Sequence, residues 1–156
     1  MRNHIRPIRL VLSALCLSWG LLFNFTSCET IDNGDLDGFW LITQVDSLQV
    51  GASHKIREAR MSWSFQAHLA RLFNHNVDSK QTPFMMRFEH KDGILIMSDP
   101  MIYNRMEGDV ALTIDSVHYL KPHFINSLPD TFHIETLNRK KMKIADDVVR
   151  LYFEKY

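Results

Sequence analysis

From Asp37 to the C-terminus, apolar side chains recur mainly at every second position, the spacing of a half-buried pleated strand rather than of a helix. The series opens at Asp37 to Leu48, with a turn glycine, Gly38, then Trp40 and a run rich in Ile, Thr and Val. Those residue types suit a strand. Phe39 and Leu41 face opposite to Trp40 and Ile42, so both sides of this strand need cover. After a loop at Gly51-Ala52-Ser53-His54, the alternation predicts one long second strand over Arg60 to Phe73. Met61, Trp63, Phe65, Ala67 and Leu69 lie on one side of it, and Ser62, Ser64, Gln66 and His68 on the other. Helical spacing fits only beyond Phe65, so the strand is kept, with a bend near Ala67 to Ala70.

Asn74 to Pro83 is polar and turn-like. Phe84 to His90 and Ile94 to Met97 form a hairpin across Lys91-Asp92-Gly93, because Asp-Gly accepts the positive φ that a tight turn demands. Ser98-Asp99-Pro100 reads as a break. Val110, Leu112 and Ile114 then alternate in a further strand over Asp109 to Asp115. Pro122 and Pro129 preclude a regular central strand between Ser116 and Asp130, leaving a short helical turn or an ordered loop. The chain ends in a meander of Thr131 to Leu137, Lys141 to Ala145 and Val148 to Tyr156. About eight short strands with turn signals between them predict an all-β sandwich or barrel.

The N-terminus follows different rules. Arg2, Arg6 and Arg9 precede an apolar stretch from Leu10 to Phe25 and then Thr26-Ser27-Cys28, the layout of a secretory signal. The apolar run is interrupted by Asn24 and is shorter than the roughly 20 residues of a membrane span. Phe25-Thr26-Ser27-Cys28 resembles a relaxed lipobox, which implies cleavage before Cys28 and acylation of its sulfur. Residues 1–27 are then a lipoprotein signal peptide, 28–36 a lipidated tether and 37–156 the folded domain. Cys16 would leave with the signal, so Cys28 would be the one remaining thiol and no internal disulfide could form. A single acyl chain, at roughly 0.8 kcal/mol per buried methylene, holds only marginally, whereas several make release negligible.

Charge narrows the partners. The whole chain balances 18 bases with 18 acids, and removing residues 1–27 leaves 15 bases against 18 acids. A net charge near −3 argues against nucleic acid, which would want a basic patch. The acidic tether, with Glu29, Asp32, Asp35 and Asp37, also looks like a signal that some Gram-negative lineages use to send lipoproteins to the outer face of the outer membrane. A merely solvated linker accounts for it equally well.

Gly38-Phe39-Trp40 in the first strand, Arg150 in the last, and the run from Phe132 through Met142 to Phe153 together resemble the small lipocalin-like lipoproteins of gut-type Gram-negative bacteria, most of them without an assigned function. The resemblance implies a lipocalin-like antiparallel barrel of about eight strands. In it Trp40 would plug the closed end and Arg150 would pack over the indole. The family's Thr-Asp-Tyr-like middle motif has no match, and Thr113-Ile114-Asp115 is not it.

An eight-stranded barrel is just wide enough to be filled by side chains or to hold one small ligand. Trp63, Phe65, Met86, Phe88 and Phe132 are the candidate ligand-facing residues, and equally the candidate filling, together with Trp40 and Phe153. His118, His123 and His133 lie close in sequence but lack the ligand spacing of a zinc site. No nucleophile elbow, glycine-rich phosphate loop or cofactor motif is present. No metal, no cofactor and no catalysis are expected. Two functions remain: a membrane-anchored module binding a small apolar or amphipathic molecule, or a filled barrel docking as an accessory subunit to other envelope proteins.

Overall fold

The computed structural model describes residues 31–76, 83–104 and 106–156; the expected signal peptide, Cys28 and the first part of the tether lie outside them. Among the described residues the strands are β1 (Gly38–Ser47), β2 (Ala52–Lys55), β3 (Met61–Gln66), β4 (Leu69–Asn74), β5 (Phe84–Lys91), β6 (Ile94–Ile102), β7 (Val110–Ala111), β8 (Asp130–Leu137), β9 (Lys141–Ala145) and β10 (Val149–Lys155). Eight of them pair antiparallel in the order β1-β3-β4-β5-β6-β8-β9-β10, and β10 returns to pair with β1. That last pairing closes the sheet into the all-β barrel the sequence predicts. The short β2 and β7 lie along the ends of β1 and β6.

Alternation builds the interior. Trp40 and Ile42 of β1, Met61, Trp63 and Phe65 of β3, Met86 and Phe88 of β5, and Phe132 of β8 all enter one core cluster, while residues between them face out. Where the barrel must curve, the ladders slip by a residue: between Ile42 and Gln44 of β1, Met85 and Arg87 of β5, and Ile134 and Thr136 of β8. Such bulges bend a strand and raise its twist, which closure of a small barrel requires.

Three expectations are corrected. The single strand over Arg60 to Phe73 is two strands, β3 and β4, joined by a tight turn at Ala67-His68 in which Ala67 takes φ +54°. Because Gln66 pairs with Leu69, the buried set changes phase there, from Trp63 and Phe65 to Ala70 and Leu72. A turn without glycine or asparagine leaves no mark in the sequence. Next, Ser98-Asp99-Pro100 does not end its strand. Asp99 takes φ +46° and the strand runs on through Pro100 to Ile102, with the irregular register absorbed opposite Met86. Finally, the strand over Asp109 to Asp115 shrinks to Val110–Ala111, and Ile114 sits two-thirds exposed in a 3-10 turn. The predicted count survives because one strand was merged and another added. The loop at Gly51 to His54 likewise contains the start of β2.

Both ends of the barrel are covered. At the base, Gly34–Leu36 forms a 3-10 turn that tucks a fully buried Leu36 under the strands, so part of the stretch read as tether belongs to the fold. Asn33 secures this turn, its backbone N–H and its side-chain amide both donating to the Asp37 carboxylate and the amide also to the Ala67 carbonyl. At the mouth, two 3-10 turns at Ile114–Tyr119 and Lys121–His123 bring Leu120, His123 and Ile125 down over the core. This is the irregular segment that the two prolines announced.

A filled interior has an energetic signature. Phe132→Ala is expected to destabilise the protein by about 3 to 5 kcal/mol, the cost of a large cavity in a packed core. Chemical denaturation reads this directly, and a loss below about 1 kcal/mol would mean that Phe132 lines open space.

Candidate functional site

The sequence singled out Trp63, Phe65, Met86, Phe88 and Phe132 as ligand-facing, and the structure does bring them together. It brings them into contact with one another. The Trp63 ring lies 5.6 Å from Phe132 and 5.4 Å from Phe153, centroid to centroid, and Phe65 meets Phe88 edge-on at 5.1 Å. None of the five is more than 2% exposed. Edge-to-face packing at these separations is the favoured geometry of aromatic pairs. The interior is core, and the Trp63 Nε1–H inside it has no hydrogen-bond partner among the described residues.

At the base, Trp40 is fully buried and its Nε1–H donates to the Leu36 carbonyl at 2.8 Å. The cation over its ring is not Arg150 but Lys155, whose Nζ lies 4.9 Å from the ring and donates to the Asp35 carbonyl at 2.9 Å. Register explains the correction: Trp40 pairs with Lys155, whereas Arg150 pairs with Asp46 toward the far end of β1. There Arg150 binds Glu135 at 2.9 Å, and Lys143 shares the same carboxylate. Gly38 has a role in this arrangement, since a Cβ at that position would stand 2.9 Å from Lys155 Cε.

The mouth cover contains a buried imidazole. His123 is 1% exposed, packs edge-on against Phe84 at 5.3 Å, and neither ring nitrogen has a hydrogen-bond partner among the described residues. Burial pushes its pKa down to about 4, so the ring is neutral. The cover is anchored by Asp130, which accepts from the backbone N–H groups of Asn126 and Ser127. Burial raises the Asp130 carboxyl, those two N–H groups oppose the shift, and Asp146 adds to it. The other two histidines do not converge on this one: His118 is exposed and bonds within its own turn, and His133 is exposed on β8. Among the described residues no group of three or more His, Cys, Asp or Glu could hold a metal ion.

A hollow of ligand size lies on the outer wall instead. Its volume is about 470 Å³ and it is lined by Phe39, Leu41, Arg60, His75 and Tyr156. Phe39 and Leu41 alternate with the core residues Trp40 and Ile42 and so point outward from β1. The Phe39 ring stands 5.4 Å from His75 and 6.0 Å from Tyr156. Backbone bonds gather these residues: the Tyr156 N–H donates to the Phe39 carbonyl and the His75 N–H to the Arg60 carbonyl. His75 Nε2 lies 2.7 Å from Ser62 Oγ. Burial first, then the Arg60 and Arg71 guanidinium groups, hold its pKa below the usual imidazole value. Sequence reasoning missed Arg60, His75 and Tyr156, which sit at strand ends where period-two patterning is silent. The outward Phe39 and Leu41 were the available signal. Another hollow of about 400 Å³ is polar, but two of its acids, Asp130 and Asp146, are already engaged in hydrogen bonds to the chain.

The family described as "Lipocalin-like domain" matches residues 22–156. A lipocalin-like protein from Bacteroides uniformis ATCC 8492 has a similar fold, with a TM-score of 0.59 at 20% identity over 79% of this chain and 100% of that one. An uncharacterized protein from Bacteroides eggerthii DSM 20697 has a TM-score of 0.56 at 14% identity over 78% of this chain and 99% of its own. At these identities the likeness is one of fold. No curated protein sequence matches the chain significantly.

The mouth cover carries a pH dependence with a definite sign. The unfolded imidazole takes up its proton near pH 6.5, while folded His123 resists until about pH 4. Stability from this group is complete above pH 6.5 and declines as pH falls to 4, by roughly 3 kcal/mol in all. Asp130, raised in the folded state, acts in the opposite direction, so the readout is a difference. In urea denaturation at pH 7 and pH 4, His123→Leu should lose less stability on acidification than the parent chain by about that amount.

Proposed function

Because the chain belongs to the lipocalin-like domain family, we propose that it is a lipid-anchored binding module of the cell envelope, taking a small apolar or amphipathic ligand on the outer wall of its barrel. The observation that carries this reading is the pairing of a packed interior with a hollow of about 470 Å³ outside it. Small-molecule sites occupy about 300 to 1,000 Å³, are mostly apolar, and use a few convergent polar groups. Phe39, Leu41 and Tyr156 supply the apolar surface; Arg60 and His75 supply the polar groups. The reading involves no catalysis: the Ser62 hydroxyl beside His75 Nε2 is buried, and among the described residues no carboxylate bonds to that imidazole.

Anchoring rests on the sequence. The basic stretch, the apolar stretch and Thr26-Ser27-Cys28 support acylation at Cys28, and the acidic residues after it support export toward the outer membrane, in either leaflet. A second reading keeps the anchor and makes the barrel an accessory subunit that docks to other envelope proteins. The filled interior favours it, since a solid barrel offers partners only its outside.

Cys28→Ala is expected to move the protein from the membrane to the soluble periplasmic fraction, and retention in the membrane would remove the anchor. Native mass spectrometry of the mildly extracted protein separates the two functions. Added mass of a few hundred daltons, lost when Leu41→Arg blocks the hollow, supports ligand binding, whereas the added mass of a protein supports docking.

A further inference from the structure

We infer that the base of the barrel is a bilayer-contact surface, with Tyr156 and Ile31 resting in the headgroup region of the membrane and the mouth pointing away from it. The inference rests on the anchoring reading above, acylation at Cys28, and adds the orientation of the folded domain and the face it turns to lipid.

Chain length sets the geometry. The fold begins at Asn33, whose side-chain amide donates to the Ala67 carbonyl in the β3–β4 turn at the base. Asn33 follows Cys28 by five residues, and five extended residues reach at most about 18 Å. β1 climbs from base to mouth in ten residues, which at about 3.3 Å each and a strand tilt of about 40° gives a height of roughly 25 Å. The tether is shorter than the barrel is tall. A domain held through Cys28 can therefore lower its base to the bilayer but cannot turn its mouth onto it.

That arithmetic sorts the exposed apolar residues of the two ends. Leu48 and Val50 follow β1 at the mouth, where the Leu48 N–H donates to the Val148 carbonyl, and Ile114 and Tyr119 belong to the cover. These stay clear of the membrane that holds Cys28. At the base, Ile31 is 44% exposed and Tyr156 87%. Tyr156 is fixed in place, because its N–H donates to the Phe39 carbonyl and its ring meets the Phe39 ring edge-on at 6.0 Å. A tyrosine suits the membrane–water interface, since its ring is apolar and its hydroxyl remains wet.

Charge does not decide the contact. Lys91, Lys155 and the basic run 139–141 share the base with Asp32, Asp35, Asp37, Asp92 and the terminal carboxylate of Tyr156, so the net charge of this end is near zero. Zwitterionic lipid is therefore a sufficient partner, and anionic lipid is not required.

The test places one reporter at each end. The full lipidated chain is reconstituted in phosphatidylcholine discs, with plain acyl chains and with chains brominated near the headgroup. Tyr156→Trp adds an indole at the base and Val50→Trp one at the mouth. Trp19 leaves with the signal, and the emission of the fully buried Trp40 and Trp63 is subtracted using the parent chain. Emission from Tyr156→Trp should fall about twofold or more in brominated discs, as for an indole held in the interface, and that from Val50→Trp should not change. Emission from Tyr156→Trp that bromine leaves unchanged, in discs that still retain the protein through Cys28, overturns the contact and spares the anchor. Quenching of Val50→Trp overturns the orientation. A Cys28→Ala chain that stays in the membrane overturns the anchoring reading, and this inference with it.

Discussion

The ring of Trp63 touches Phe65, Phe132 and Phe153, and this set of contacts decides what the barrel can be. Eight strands enclose a space that side chains can just fill, and here seven buried aromatic rings, with methionines and aliphatic side chains between them, fill it. Every strand that bears one of those rings is tied to the same centre. The barrel is thus held from inside by edge-on aromatic packing, and whatever it binds must bind elsewhere.

Closure adds a second constraint. β1 pairs with β10, and at the base Lys155 lies over the Trp40 ring and Leu36 is buried beneath the strands. The same pairing sets Tyr156 beside Phe39 and Leu41 beside Glu154, so the wall that carries the hollow is a product of barrel closure. Site and seam coincide. The kink at Arg60 adds a further residue to the lining of that hollow.

The mouth shows the other way a polar group is handled in this fold. His123 lies among apolar side chains with neither nitrogen satisfied, an arrangement that costs free energy in proportion to the desolvation of the ring. It stays neutral because burial disfavours charge. Asp130, equally buried, is instead surrounded by donors and anchors the cover.

How much of this was legible follows from the range of each signal. Period-two alternation reports on the two faces of a local pleat, so the sequence alone determined the all-β class, the strands beginning near Gly38, Phe84 and Thr131, and the shared inner face of Trp63, Phe65, Met86, Phe88 and Phe132; it did not determine whether they fill the barrel, nor the switch to Ala70 and Leu72 past the Ala67 turn. The Asp-Gly turn was legible because only a few residues accept its φ; the turn at Ala67 was not, because alanine advertises nothing. Register lies beyond local pattern. Whether Arg150 or Lys155 covers Trp40 depends on which residue of the last strand stands opposite the first, a pairing set by bulges and closure across more than a hundred residues. The same holds for the hollow: Phe39, Arg60, His75 and Tyr156 are distant in sequence, and only the curling of the sheet makes them neighbours.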